Sequence, residues 1–168
     1  MVTLYNVISA DGYIARENGD EDFIPDELWS DFIELCKKFD VLVMGRKTYD
    51  AIQEYPKELI DELDNLKIER IVVTRDQAFI PKLGYIVKSS PKEVVASGAK
   101  ILLSSGPTLN AAFLKEGLID QIIFYTLPDR IGKGIKVFDG EPNLSPVSVE
   151  DKKNGRKWCV YRLEAHES

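Results

Sequence analysis

Short apolar runs alternate along the chain with longer stretches in which apolar residues recur every three or four positions. The short runs are rich in Val, Ile and Leu, which is typical of buried strands. They predict strands over residues 2–9, 13–15, 41–44, 70–74, 83–87, 100–103, 121–127 and 157–165. The helical spacing predicts helices that begin at Pro25 and Ser90-Pro91, and helices over residues 48–64 and 107–116.

The order of these elements predicts the fold class. Strands alternate with helices through most of the chain, which indicates an α/β domain with a largely parallel sheet and helices on both of its faces. The last third has strands without clear helices between them, and such a stretch can add an antiparallel strand at one edge. Residues 129–146 are rich in Gly and Pro and are expected to form loops. We expect a single domain over residues 1–168.

The acidic balance of the chain limits its partners. Its 28 acidic and 22 basic residues give a net charge of −6 at pH 7. This charge argues against nucleic acid as a partner, although a local basic pocket can still bind a small anion. No targeting segment and no run of ~20 apolar residues is visible. We therefore expect a cytoplasmic protein without a membrane partner.

Cysteine and histidine are too few for several kinds of chemistry. Cys36 and Cys159 form no metal-binding cluster, and the single histidine, His166, lies near the end of the sequence. We therefore expect neither a Ser–His–Asp triad nor a multi-histidine zinc site, and no bound metal. Acid–base work must fall to carboxylates, Tyr, Lys or water.

Residues 44–49 lie where a predicted buried strand turns into a helix, and ligands of open α/β sheets bind at such strand ends. Gly45 lets the backbone approach a ligand, and Thr48 can cap the helix and contact a phosphate. Arg46 and Lys47 can bind an anion. The alternative from the spacing alone is a capped helix with two solvated cations.

The segment after the strand over 100–103 repeats this arrangement. Small residues, a glycine and a proline at the first helical position leave backbone N–H groups open to a phosphate. These residues are Ser105, Gly106, Pro107, Thr108 and Leu109. Two such sites in one small domain suit a dinucleotide, because a dinucleotide needs contacts along its length.

A third predicted strand ends at Thr74 and Arg75. This pair can add a positive charge for a ribose phosphate at the same edge of the sheet. The alternative for Arg75 is a surface salt bridge with Asp76 or Glu69.

Carboxylates at two places are candidates for proton transfer. On the first helix, Asp31 lies at the edge of the apolar stripe and Glu27 lies further round. A half-buried carboxylate there would have a raised pKa and could relay a proton, whereas the alternative is two ordinary first-turn acids. Ser9, Asp11 and Gly12 follow the first strand, where they form a turn or place a hydroxyl and a carboxylate at the ligand edge.

The ordered set of these motifs resembles the dihydrofolate reductase superfamily, and most closely the reductase domain of riboflavin-biosynthesis deaminase-reductases. The resemblance spans nearly the whole chain. The matching segments are residues 9–15, 44–48, 72–75 and 105–109, followed by residues 117–120, Pro128, Gly132, Gly134 and Phe138.

The resemblance implies a dihydrofolate-reductase-like fold, NADPH as the hydride donor and a homodimer. It places Gly45, Arg46 and Thr48 near the cofactor and Thr74 and Arg75 near its adenosine phosphate. Residues 105–109 would hold the pyrophosphate, and Ser9, Asp11 and Gly12 would line the nicotinamide and substrate side. The family usually has two adjacent glycines where this chain has Ser105-Gly106.

The expected substrate is a small molecule, and the resemblance leaves two classes open. The likeness to the riboflavin pathway implies reduction of a phosphorylated ribosylamino-pyrimidine, with Asp11 and either Glu27 or Asp31 handling protons. Candidate cations for the substrate phosphate are Arg130, Lys133 and Lys136, whose alternative is solvated loop charges.

The second class is dihydrofolate or another pterin, for which a carboxylate at the position of Glu27 would help protonate the substrate. A third interpretation is a nucleotide-binding module that has lost catalysis. No His-x-Glu or Pro-Cys-x-x-Cys zinc signature is present in the sequence, so deamination is excluded.

Overall fold

Strands and helices alternate in the computed structural model, which describes residues 1–140 and 142–163. The strands are β1 (Val2–Ile8), β2 (Tyr13–Arg16), β3 (Val41–Gly45), β4 (Glu69–Val73), β5 (Tyr85–Lys88), β6 (Ile101–Leu103), β7 (Gln121–Thr126), β8 (Gly134–Lys136), β9 (Ser148–Asp151) and β10 (Lys157–Arg162). The helices are α1 (Leu28–Cys36), α2 (Arg46–Ile52), α3 (Lys57–Asp64), α4 (Pro91–Val95) and α5 (Pro107–Lys115). His166 and the end of the predicted strand over 157–165 lie outside the described residues.

Eight strands form one sheet in the order β5-β4-β3-β6-β1-β7-β10-β9, and β2 pairs with β8 in a separate ribbon. The strands from β5 to β7 run parallel to their neighbours. Strands β10 and β9 add two antiparallel neighbours beyond β7. The predicted α/β class, with a mostly parallel sheet and an antiparallel addition at one edge, is confirmed. The outermost strand at that edge is β9, because β10 lies between β9 and β7.

Helices cover both faces of the sheet, as the pattern predicts. Buried residues of α1, α2 and α3 pack on one face, where Leu28, Ile52 and Leu63 belong to one apolar cluster. Buried residues of α4 and α5 pack on the other face, where Val94 and Phe113 belong to a second cluster. Within the described ranges, no helix is both long enough and apolar enough to cross a bilayer.

Two helices differ from their predicted bounds. The first begins at Leu28 rather than Pro25, because residues 25–28 form a turn in which the Leu28 N–H donates to the Pro25 carbonyl at 3.1 Å. The helix predicted over residues 48–64 is two helices, α2 and α3. Pro56 precedes α3 and has no N–H to donate to the preceding turn, so helical hydrogen bonding is interrupted there.

Two short strands lie where the pattern predicts none. Strand β8 lies inside the segment predicted as loop, and it pairs antiparallel with β2. Strand β9 is exposed along its whole length and pairs with β10 on one side. Its residues show no buried apolar face, so period-two alternation could not reveal it.

Hydrogen bonding within the chain occupies the strands that could pair across a two-fold axis. From sequence, the strand over 121–127 and the closing strand could pair between two copies or within a monomer. In the structure β7 pairs with β1 and β10, and β10 pairs with β9. Among the described residues, the free edges of the large sheet are therefore those of β5 and β9. The homodimer itself stays a prediction.

Candidate functional site

The central parallel strands β3, β6 and β1 are neighbours, so their carboxyl ends lie at one edge of the sheet. Strand β1 leads through α1 on one face to β3, and β6 leads through α5 on the other face to β7. The two connections leave adjacent strands in opposite directions, which is the arrangement where ligands bind in open α/β sheets. The topology therefore places the candidate site between β1 and β6.

The predicted phosphate segments after β3 and β6 meet at this edge. The Gly45 backbone N–H donates to the Ser105 hydroxyl at 2.9 Å. A Cβ on residue 45 would lie 3.1 Å from that hydroxyl and 3.7 Å from the Leu109 side chain. Glycine at position 45 is therefore what allows the two strand ends to approach each other.

Two asparagines outside the predicted motifs, Asn6 and Asn110, also hold this junction together. The Asn110 side chain is fully buried, and its amide donates to the Ser105 carbonyl at 3.1 Å and to the Val137 carbonyl at 2.9 Å. The Asn6 amide also donates to the Ser105 carbonyl, at 3.1 Å. A polar residue inside the apolar run of the first strand is the signal that could have revealed Asn6.

The first turn of α5 fits a phosphate. Its N-cap residue, Gly106, is extended and provides no capping side chain, and Pro107 is the first helical residue. A Cβ built on Gly106 would meet nothing within 4 Å, so the space beside this turn is open. The N–H groups of Thr108 and Leu109 have no acceptor within the helix. An open helix N-terminus with unpaired donors is suited to an anion.

Arg46, predicted as an anion ligand, already has three partners. Its guanidinium pairs with the Asp50 carboxylate at 3.1 Å and with the Asp76 carboxylate at 3.4 Å. It also lies 3.9 Å from the centre of the Phe79 ring. Neither prediction for Arg46, a ligand for an anion or a solvated cation, included these carboxylates. Lys47 is exposed and makes no ion pair with the described residues.

The end of β4 lies next to these groups. The Thr74 hydroxyl accepts a hydrogen bond from the Asp76 N–H at 3.1 Å. Arg75 is exposed and has no ion pair among the described residues, so the alternative of a salt bridge with Asp76 or Glu69 is wrong. Thr48 is half-buried in the first turn of α2, and the prediction that it caps this helix is wrong, because Gly45 is the N-cap residue and no side chain caps the helix. Arg75, which has no carboxylate partner among the described residues, thus directly precedes Asp76, whose carboxylate helps to balance the charge of Arg46.

Ser9, Asp11 and Gly12 are committed to the loop that follows β1. The buried Ser9 hydroxyl donates to the Asp11 carboxylate at 2.6 Å, and the same carboxylate accepts from the N–H groups of Gly132 at 2.9 Å and Ile131 at 3.3 Å. These bonds, the one from Ser9 first, lower the pKa of Asp11 to about 2. Gly12 has φ +91°, as the turn requires.

Glu27 and Asp31 flank the first turn of α1, which starts at the ligand edge because α1 returns from the end of β1 to the start of β3. The Glu27 carboxylate lies 2.6 Å from the Arg156 guanidinium and 3.8 Å from the Lys153 ammonium. The hydrogen bond from Arg156, and then the charge of Lys153, lower the pKa of Glu27. Asp31 is exposed. The prediction of a half-buried carboxylate with a raised pKa is therefore wrong for Glu27. Asp31 lacks the burial that this prediction required.

An aromatic group lies beneath α1. Tyr5 of β1 stacks on Phe32, with ring centres 6.1 Å apart, and contacts Trp158 at 5.8 Å. Burial first, and then the negative charge of Asp31, raise the pKa of Tyr5.

A shallow cleft lies between the loops that follow β2 and β7. Its volume is about 650 Å³, and it is lined by Arg16, Glu17, Asn18, Ile131, Gly132 and Lys133. Of the three cations expected for a substrate phosphate, Lys133 lines this cleft. Lys136 ends β8, and Arg130 lies one residue outside the lining.

Comparison with protein families finds the RibD C-terminal domain, whose family model matches residues 92–157. The uncharacterized protein YwjB of Bacillus subtilis (strain 168) is 25% identical over 168 residues, covering 89% of each chain. The riboflavin biosynthesis protein RibD of Aquifex aeolicus (strain VF5) is 29% identical over 112 residues, which cover 66% of this chain and 30% of that protein. The match to RibD is therefore to part of a longer protein.

Solved structures with the same fold come from both branches of the predicted superfamily. A putative riboflavin biosynthesis protein from Shewanella sp. PV-4 gives a TM-score of 0.74 at 22% identity, over 96% of this chain and 97% of that one. The dihydrofolate reductase of Schistosoma mansoni gives 0.69 at 17% identity, over 97% and 98%. These likenesses establish the fold. Together with the match to the RibD C-terminal domain over residues 92–157, they confirm the predicted resemblance.

Proposed function

We propose that this chain, which has the dihydrofolate-reductase-like fold and matches the RibD C-terminal domain over residues 92–157, is an NADPH-dependent reductase of a phosphorylated ribosylamino-pyrimidine. The observation that carries the proposal is the junction of Gly45 with Ser105 beside the open first turn of α5. It provides a phosphate-binding surface at the point of the sheet where a dinucleotide would lie.

The residues at this edge divide the binding of the cofactor among three strand ends. The N–H groups of the first turn of α5 would hold the pyrophosphate, because they are unpaired and face the open space beside Gly106. Arg75, at the end of β4, would hold the adenosine phosphate with its uncompensated charge. When bound, NADPH supplies a hydride to C1 of the substrate's sugar in its imine form.

The remaining task of the protein is to position the substrate and to exclude water. The half-buried rings of Phe32 and Trp158, which pack on the buried Tyr5, are the aromatic side chains that a planar pyrimidine would contact beside the first turn of α1. Lys133 in the cleft between the loops is the proposed ligand of the substrate phosphate. Ser9 and Gly12 act through the loop that they shape, since the Ser9 hydroxyl is already bonded to Asp11.

Asp31 is the carboxylate proposed to handle the proton. The Asp11 carboxylate is bonded to Ser9 and to the loop after β7, and the Glu27 carboxylate is paired with Arg156, so neither is free to turn to a substrate. Asp31 has no ion pair within the described residues and lies at the ligand end of α1. It would pass a proton between solvent and a substrate seated against Phe32.

Reduction of dihydrofolate or another pterin is the second candidate. The observation that favours it is the likeness in fold to a dihydrofolate reductase over nearly the full length of both chains. Against it stands Glu27, the carboxylate that this function would use, because its ion pairs with Arg156 and Lys153 stabilise the ionised form. A pterin reductase would lose turnover on Glu27→Gln while NADPH binding stayed intact.

NADPH oxidation, followed by absorbance with each substrate, tests the proposal. We expect turnover with the phosphorylated ribosylamino-pyrimidine and a fall of about tenfold to a hundredfold in kcat for Asp31→Asn, with little change in the Kd of NADPH. Glu34→Gln is the matched control, because Glu34 is also an exposed acid of α1 but pairs with Lys37. Turnover with dihydrofolate alone would support the second candidate, and NADPH binding without turnover of either substrate would support a non-catalytic module.

A further inference from the structure

The charge of Arg46 is balanced before any ligand arrives. Its Nε atom donates to both carboxylate oxygens of Asp50, each at 3.1 Å. Its Nη1 atom donates to the Asp76 carboxylate at 3.4 Å. Phe79 covers one face of the guanidinium plane. Two carboxylates on one cation leave the group of Arg46, Asp50 and Asp76 itself with a net negative charge.

Asp76 is held in this position by the backbone around it. Its N–H donates to the Thr74 hydroxyl at 3.1 Å, and its Oδ1 accepts from the Ala78 N–H at 3.0 Å. These bonds leave Oδ2 directed at Arg46. Asp76 also follows Arg75 directly, so a carboxylate lies next to the cation proposed to bind the adenosine phosphate.

We infer that Asp76 is a specificity-determining residue that weakens the preference of this site for NADPH over NADH. The inference rests on the proposed function, because it concerns the adenosine end of the same cofactor. A 2′-phosphate is recognised by a free arginine, whereas a ribose 2′-hydroxyl is recognised by a carboxylate acceptor. Asp76 pairs with Arg46, so this arginine is not free to bind a 2′-phosphate, and the Asp76 charge would repel that phosphate. The same carboxylate can accept a hydrogen bond from a 2′-hydroxyl.

Competition of this kind should have a moderate effect. Arg46 and Asp76 are 39% and 55% exposed, so solvent screens both their attraction and the repulsion of a phosphate. Removing the charge of Asp76 should therefore favour NADPH over NADH by about threefold to fivefold. The effect should shrink as salt is added, because charge carries it.

The test is a fluorescence titration of NADPH and NADH against the wild-type chain and Asp76→Asn. Asparagine keeps the oxygen that accepts from the Ala78 N–H. It replaces the Oδ2 that contacts Arg46 with an NH2 group, so it removes the charge and releases Arg46 from this contact. Asp61→Asn is the matched control, because the Asp61 side chain is 48% exposed and paired with Lys57 on α3, and the substitution changes the net charge equally. We expect the ratio of the NADH Kd to the NADPH Kd to rise about threefold or more in Asp76→Asn and to stay unchanged in Asp61→Asn.

The outcomes separate this inference from the proposed function. A ratio that is the same in Asp76→Asn and the wild type, with NADPH bound by both, would overturn the inference and leave the proposed function standing. An equal rise in Asp61→Asn would also overturn it, since total charge would then be the cause. A wild-type chain that binds neither cofactor would overturn both.

Discussion

Ser105 has two tasks at the junction of three strands. Its hydroxyl accepts from the Gly45 N–H, and its carbonyl accepts from the side chains of Asn6 and Asn110. The turn chemistry of positions 45 and 105 is local, so the sequence alone predicts that each could approach a phosphate. The hydrogen bond between them joins residues 60 positions apart. No local pattern encodes such a contact, and the same is true of Arg46 with Asp76.

Ser105→Ala tests the first of these tasks. The substitution removes the acceptor of the partly buried Gly45 N–H, so the free energy of unfolding should fall by about 1 kcal/mol. Urea unfolding measures the change. Ser104→Ala is the control, because the Ser104 side chain makes no hydrogen bond among the described residues. An equal loss of stability in both variants would show that the Gly45 contact contributes nothing.

At the scale of elements, strong apolar runs and helix-start residues predict most of the sheet and α5. The elements that the sequence does not predict depend on distant partners. Strand β8 forms because β2 is available to pair with it, and β9 forms along β10 although its own side chains are exposed. Pro56 does mark the break between α2 and α3. The helical spacing continues on both sides of Pro56, so the pattern over residues 48–64 predicted a single helix.

The loop after β1 is fastened to the loop after β7 through Asp11, and this link should respond to acid. The pKa of Asp11 is lowered from 3.8 to about 2, so the ionised carboxylate stabilises the folded chain above pH 4. The stabilisation is lost as pH falls from about 4 to about 2. Asp11→Asn should therefore be less stable than the wild type at pH 7, and the difference should shrink over that acid range.

Chemical unfolding of both chains at a series of pH values measures this difference. Asp26→Asn is the control, because the exposed Asp26 side chain makes no hydrogen bond within the described part of the chain. A difference between the wild type and Asp11→Asn that stayed constant from pH 7 to pH 2 would contradict the role given to the carboxylate.

At the scale of the whole molecule, the topology explains why one edge of the sheet carries the site. The strands β3, β6 and β1 end together, and the helices that follow β1 and β6 leave on opposite faces. The alternation of strands and helices predicts a parallel sheet, but it cannot predict that β6 is inserted between β3 and β1. That insertion brings Gly45 against Ser105 and opens the first turn of α5 to a ligand.

The central claim is that this edge binds the phosphates of NADPH, and a titration of NADPH against the wild type and Gly106→Val tests it most directly. Gly106 has φ −86° and an open space beside it, so valine fits the backbone and fills only the space assigned to the phosphates. Ala96→Val, which introduces valine at an exposed position after α4, is the control.

We predict that the wild type and Ala96→Val bind NADPH with a Kd below about 1 mM and that Gly106→Val binds at least about tenfold more weakly with the same free energy of unfolding. Equal binding of NADPH by the wild type and Gly106→Val, or no binding by the wild type at such concentrations, would contradict the claim.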